Sequence, residues 1–319
     1  MAWKTYTPEE REAARAARKE EVDGLFSKIS EGLTGLRTSE RYREYLRVMS
    51  RFHEYSFRNS LLILEQRPDA TLVASYTAWK QVHRQVRKGE KGIRILAPIT
   101  YPAKRSVPSV DPGTGLYERS ADGSVRTQTK EVHVAGFRAV SVFDISQTEG
   151  RELPEIAQEL TGDVADYEIL FEAARSAAGV QVFTGSLPDD AYGMCETDTG
   201  RVTIREGLSQ AQSLKTLLHE VGHWRMHPPG IEYPRAMREV QAESLAFVVS
   251  AHFGLDTSDY TFGYLDTWTS SASDEELKES MDIVTRHASS LIGQMEREIE
   301  RLRDDRIALP DHGLHDDGR

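Results

Sequence analysis

Residues His219-Glu220-Val221-Gly222-His223 set two imidazoles four positions apart with a carboxylate beside the first. If Ser213 to Met226 is helical, as its pattern predicts, both rings lie on one face, about 6 Å apart along the axis, and can share one cation. Zinc held this way needs a third protein ligand and keeps a water, whose pKa falls to about 7. Glu220 is the expected general base, taking a proton from that water and delivering one to a leaving amine. The third ligand is expected from the next helix, where Glu239 and Glu243 stand four apart. Glu239 is taken as the ligand and Glu243 as the group that orients a ligand histidine through its other ring nitrogen. The reverse assignment stays open on spacing alone. His227 follows His223 by four, but Pro228-Pro229 break a helix there, so it is not expected to bind metal. Gly222 implies close approach by another segment, because glycine inside a helix is otherwise unfavourable. Arg201-Val202-Thr203-Ile204 fits either a sheet edge above the site or an ordinary core strand.

Composition narrows the setting. The chain has 319 residues, 39% hydrophobic and 29% charged, enough for two folded units. No apolar run approaches the ~18 residues of a membrane span, and Met1 to Glu20 lacks a signal-peptide core, so a soluble, cytoplasmic protein is expected, with no membrane partner. Cys195 is the one cysteine, which excludes an internal disulfide or a Cys-rich zinc site and leaves His and carboxylates as ligands; an inert thiol is expected.

The net charge of −11 hides a division of sign. Residues 1–105 carry 21 Lys+Arg against 13 Asp+Glu, net +8, and residues 106–319 carry 19 against 38, net −19. A basic module facing a polyanion is implied. In it Tyr55, Arg58, Asn59, Trp79, Arg87, Lys88, Lys91 and Arg94 combine the cations and flat side chains that single-stranded DNA requires, with no base-reading motif; a solvated face over core aromatics is the competing interpretation.

The elements that must position these groups follow from pattern. Helices are expected from Thr7 to about Phe26, from Ser39 to Tyr55 and from Ser60 to Gln66, then a basic helix after Tyr76 to Trp79, and strands at Ile93 to Ala97 and Val132 to Phe143 around a Ser/Pro/Gly-rich insertion at 106–130. Further on, helices are expected at 166–178, 213–226 and 236–253, short strands at 180–183 and 202–204, and a helix at 274–304 whose Leu277, Met281, Val284, Ala288, Leu291, Met295, Ile299 and Leu302 form a docking stripe rather than a free coiled-coil seam.

Phe52-His53-Glu54-Tyr55-Ser56-Phe57-Arg58-Asn59-Ser60, Arg87-Lys88-Gly89-Glu90-Lys91-Gly92-Ile93 and Val142-Phe143-Asp144-Ile145-Ser146-Gln147-Thr148-Glu149-Gly150 resemble the N-terminal domain of ArdC-type antirestriction proteins, which mobile elements carry. His219 to Trp224, Glu239 to Glu243 and Tyr264-Leu265-Asp266-Thr267-Trp268 are similar to the second half of that family. Gly222 and the 106–130 insertion depart from its pattern. The resemblance implies an α+β protein of two domains: a single-stranded-DNA-binding domain at 1–152, with a small mixed sheet and helices, and a zincin-like metallopeptidase domain at 153–305. A disordered tail is expected at 306–319. It further implies a Zn2+ cofactor, single-stranded DNA and a protein or peptide substrate as partners, and protection of incoming DNA from restriction. Two alternatives stand beside it: a non-catalytic DNA-coating protein with a structural zinc site, and a peptidase that cleaves a regulator.

Overall fold

The computed structural model describes residues 7–109, 120, 126–152, 164–188, 191–255 and 262–308. Most of the 106–130 insertion and the tail beyond Ala308 lie outside these residues, as does the stretch 153–163 at the expected domain boundary. The fold is α+β, and packing divides it into two compact units: residues up to Ser27 with Arg94–Ser141, and Lys28–Ile93 with Val142 onward.

The first helix, α1 (Pro8–Gly35), starts on a reciprocal cap: Thr7 N–H donates to Glu10 Oε2 at 2.8 Å and Glu10 N–H to Thr7 Oγ1 at 3.1 Å. Its N-terminal part shares the smaller unit with a long hairpin, β3 (Ile93–Pro108) and β4 (Thr127–Asp144). There Arg94 bonds Glu21 and the Ser141 hydroxyl, and Phe26 meets Phe137 edge-on at 5.9 Å.

In the larger unit, α2 (Ser39–Arg51) buries Tyr42, Tyr45, Leu46 and Met49, and α3 (Phe57–Gln66) starts on a Ser56 cap, three residues ahead of the expected start. The expected basic helix after Trp79 does not form. The chain instead makes β1 (Val73–Ser75), a short α4 (Tyr76–Gln81) and β2 (Arg84–Val86), turning at His83, whose φ of 60° breaks the helix. Strand β2 pairs with β5 (Thr148–Gly150), and only glycine fits at 150, where φ is 130° and a Cβ would lie 2.4 Å from the His83 carbonyl oxygen. Asp144 ends β4 and organises this corner, accepting from Thr71 N, Leu72 N and Ser146 N at 2.8, 3.1 and 2.9 Å. Burial opposes its charge, but those donors outweigh it and hold its carboxyl below the usual range. Gln147 completes the corner by donating to Glu90 Oε2 and the Lys91 carbonyl at 3.0 and 2.9 Å.

The remaining elements build the frame of the site. Helix α5 (Val164–Ala178) leads into a three-stranded sheet of order β6-β8-β7, with β6 (Gln181–Gly185) parallel and β7 (Gly193–Glu196) antiparallel to β8 (Arg201–Arg205). Residues 201–205 are therefore the central strand, and the edges are β6 and β7. Helices α6 (Gln210–Met226), α7 (Arg235–His252), α8 (Leu265–Thr269) and α9 (Asp274–Ala308) follow. Gly254 takes φ 73° just beyond α7, as its expected stop. The α9 stripe from Leu277 to Ile299 is buried, a docking face packed on α5 and α7. Helix α2 joins the same core through a 2.8 Å bond between the Tyr42 and Ser244 hydroxyls.

Candidate metal centre and nucleic-acid face

Helix α6 starts where Ser209 accepts from Gln212 N, and buries Leu214, Leu217, Leu218 and Val221, which turns His219 and His223 towards α7. The two helices touch at Gly222, where a Cβ would stand 2.9 Å from Ala242 Cα; the motif glycine is the contact that lets α7 deliver its carboxylates. His219 Nε2 lies 3.1 Å from His223 Nε2 and 3.5 Å from Glu239 Oε2, and His223 Nε2 lies 3.8 Å from that oxygen. A tetrahedral ion with bonds of 2.0–2.1 Å sets its donor atoms about 3.4 Å apart, so these three groups fit one cation.

The outer ring nitrogens are anchored as ligand histidines require. His219 Nδ1 is 3.1 Å from Glu243 Oε2; a carboxylate accepts, so the proton sits on Nδ1 and Nε2 presents a lone pair. Lys215 Nζ, 3.5 Å from Glu243 Oε1, holds that carboxylate in turn. Glu239 therefore stands on the side of the two Nε2 atoms, and Glu243 on the outer nitrogen of His219. His223 uses a relay that spacing did not disclose. Gln241 donates through Nε2 to Ser280 Oγ at 2.8 Å, so its Oε1 accepts from His227 Nε2, also at 2.8 Å. His227 Nδ1 is then an acceptor, 3.1 Å from His223 Nδ1, and His223 keeps its Nε2 lone pair for the cation. The helix ends at His227 as the following prolines dictate, and His227 meets the outer nitrogen of His223.

Electrostatics agree with this arrangement. Burial opposes charge on His219, but Glu239 and Glu243 outweigh it and push its pKa up to about 10: without a metal, a proton is held at the same place. Hydrogen bonds from His219 and then His223 depress Glu239 well below the carboxylate range. Burial lowers His227 to about 4, so it stays neutral and able to accept. Glu220 is 7% exposed, and its pKa is raised by burial against the pull of the two histidines, as suits a base. Strand β7 rests directly on it: a Cβ at Gly193 would lie 2.5 Å from Thr216 Cγ2 and 2.7 Å from Glu220 Oε1. Burial and then Glu220 push the Cys195 thiol up to about 12, leaving it inert. A cavity of about 220 Å³ opens beside His219, Glu239 and Glu243, walled by Phe262, Gly263 and Tyr264.

The basic residues proposed for DNA separate into two kinds. Trp79 is a correction: at 2% exposure, with its N–H on the Phe143 carbonyl at 2.8 Å, it is core and offers no stacking face. The exposed aromatic of α4 is Tyr76, 43% exposed, with Lys80 Nζ 5.1 Å from its ring centroid. Tyr55 is half-buried, its hydroxyl on the Val73 carbonyl, and Arg58 and Asn59 are half-buried at the start of α3. Arg87 is spent on Glu90 and the Ser146 carbonyl at 2.7 and 2.6 Å, and Arg94 on Glu21 and Ser141. Lys88 and Lys91 stand exposed on the turn that Gln147 secures.

The site is a helix-borne His-Glu-x-x-His set with a glutamate of the next helix beside it, on an α+β frame. Residues 15–143 match the model of the N-terminal domain of anti-restriction factor ArdC. It is also 24% identical over 329 residues to an uncharacterized Bacillus anthracis protein, pXO2-81, covering 95% of this chain but only 55% of the relative; the chain thus spans about half the length of that curated relative. Two crystal structures of the ArdC protein from plasmid R388 are similar: a Mn(II)-bound one at 19% identity and TM-score 0.45, and a metal-free one at 21% and 0.41. They cover 77% and 76% of this chain, and each alignment spans 85% of the R388 protein. Among the described residues, no helix is long and apolar enough to cross a membrane.

Proposed function

We propose that this chain is a single-stranded-DNA-binding metallopeptidase that protects incoming DNA from restriction. The observation that carries the catalytic half is the convergence of His219, His223 and Glu239 within reach of one ion, with Glu220 on the same helix. His219, His223 and Glu239 would hold a zinc ion, which this nitrogen-and-oxygen set suits and which would supply Lewis acidity and a water of pKa about 7. Glu220 Oε1 or Oε2 takes a proton from water as its oxygen bonds to the peptide carbonyl carbon. As the C–N bond breaks, the same carboxyl returns the proton to the leaving nitrogen. Glu243 and His227 keep both imidazoles turned inward throughout. Edge strand β7, seated over Glu220, gives an extended peptide a backbone to pair with.

The DNA half is supported by the ArdC N-terminal domain match and by the exposed Lys88, Lys91, Lys80 and Tyr76. Two measurements test the reading. Glu220→Gln should abolish hydrolysis of unfolded casein while zinc and oligo-dT binding persist; unchanged hydrolysis defeats the catalytic half. Oligo-dT affinity should fall with salt at about −0.7 per neutralised phosphate on log–log axes, and Lys88→Ala with Lys91→Ala should flatten that slope by about 1.4. A flat response favours the regulator-cleaving alternative. Protection that survives Glu220→Gln favours the DNA-coating one.

A further inference from the structure

His53 follows α2 in the turn that leads to α3, His252 is the last residue of α7, and Glu296 lies on α9. One ring nitrogen from each histidine and a carboxylate oxygen of Glu296 all fall within 4.8 Å of one another. The two rings meet edge to face at 4.7 Å and 85°, against 4.8 Å and 77° for His219 and His223. The outer nitrogen of His252 is anchored as a ligand's would be: Nδ1 is 3.0 Å from the Ser50 carbonyl, an obligate acceptor, so it carries the proton. His252 Nε2 faces Glu296 Oε1 at 3.0 Å, so this nitrogen and the carboxylate flank a point at which a cation can be shared. His53 Nδ1 is buried with no hydrogen-bond partner among the described residues.

We propose that His53, His252 and Glu296 form a second site for a divalent transition-metal ion, distinct from the α6–α7 centre. Glu239 and His252 are thirteen residues apart on α7, about 20 Å along the helix, so one ion cannot serve both. Two imidazoles and one carboxylate suit zinc and its neighbours rather than magnesium or calcium, which take all-oxygen sets. The site ties the turn after α2 to the end of α7 and the interior of α9. Its role is a clasp: His53 lies within the stretch that matches the ArdC N-terminal domain, and His252 and Glu296 lie beyond it.

The test is zinc stoichiometry of the full chain, stripped by chelation and dialysed against micromolar zinc chloride. Wild type should hold two equivalents. His219→Ala with His223→Ala should hold one, and that one should be lost on adding His53→Gln or Glu296→Gln. Glu296 is 48% exposed, so its variant tests the site without disturbing the core. Zinc should raise the melting temperature of the His219→Ala, His223→Ala protein and leave it unmoved once Glu296→Gln is added. One equivalent in wild type that survives Glu296→Gln and disappears with His219→Ala and His223→Ala overturns the proposal. One equivalent with the opposite pattern supports it and counts against the α6–α7 centre instead.

Discussion

Replacing His227 with phenylalanine keeps a ring in a site that is 5% exposed but removes the acceptor for His223 Nδ1 and the donor for Gln241 Oε1. With no partner at Nδ1, the imidazole of His223 is free to rotate and to carry its proton on Nε2, the nitrogen that a cation needs. Loss of such an orienting partner weakens metal binding by about 10- to 100-fold, or about 1.4–2.8 kcal/mol. That range agrees with the ~1–3 kcal/mol cost of leaving a buried donor unsatisfied. Gln241→Leu should act in the same direction by another route: with nothing to accept from His227 Nε2, the His227 proton can move to Nδ1 and confront His223. Because both changes work through one nitrogen, the double variant should lose much less than the sum of the single losses. Zinc affinity at pH 7 by chelator competition reads the effect, and nitrogen-15 spectra of the histidines read the tautomer. Affinity within twofold of wild type in a folded His227→Phe protein, or a wild-type His223 protonated on Nε2 in the zinc-free state, would refute the relay.

Further predictions concern the helix contact, the proton that competes with the metal, and the core tryptophan. Gly222→Ala should destabilise the protein by about 1–3 kcal/mol in urea, since its Cβ would meet Ala242 backbone at 2.9 Å, and should weaken zinc binding as α7 is pushed away. Zinc binding at pH 7 should release about one proton, because His219 is pushed up to about 10 in the metal-free site; calorimetry in buffers of different ionisation enthalpy counts it. The same raised pKa stabilises the metal-free fold fully below about pH 6.5, the unfolded histidine value, and this contribution should fade as pH rises through about 10. Trp79→Phe should cost about 1–2 kcal/mol by orphaning the Phe143 carbonyl, yet leave the salt slope of oligo-dT binding unchanged.

What the sequence disclosed, and what it withheld, divide along a physical line. His219, Glu220 and His223 were legible because a four-residue step on a helix fixes their common face without reference to the rest of the fold. Glu239 was nearly so, since only two positions of the next helix competed, and the choice needed the Gly222–Ala242 contact that sets the phase of α7 against α6. His227 and Gln241 were not, because their part in the site is a matter of which ring nitrogen carries a proton, and that follows from a chain ending at Ser280, 57 residues from His223. Gly193 was equally silent: a glycine at a strand edge means little until Glu220 is found beneath it. The basic stretch misled in a different manner. Lys80, Arg84 and Arg87 suggest a helix with a solvated cationic face running into the Lys88–Gly92 turn, whereas the arginines turn inward to carbonyl oxygens of residues 146–151 and Gly150 accepts the His83 turn, leaving the lysines outside. Charge count alone therefore overstates the surface available to a phosphate backbone. Guanidinium groups can serve as structural donors to several carbonyls at once, so the cations worth testing against DNA are the lysines, and the aromatic worth testing is Tyr76 rather than Trp79.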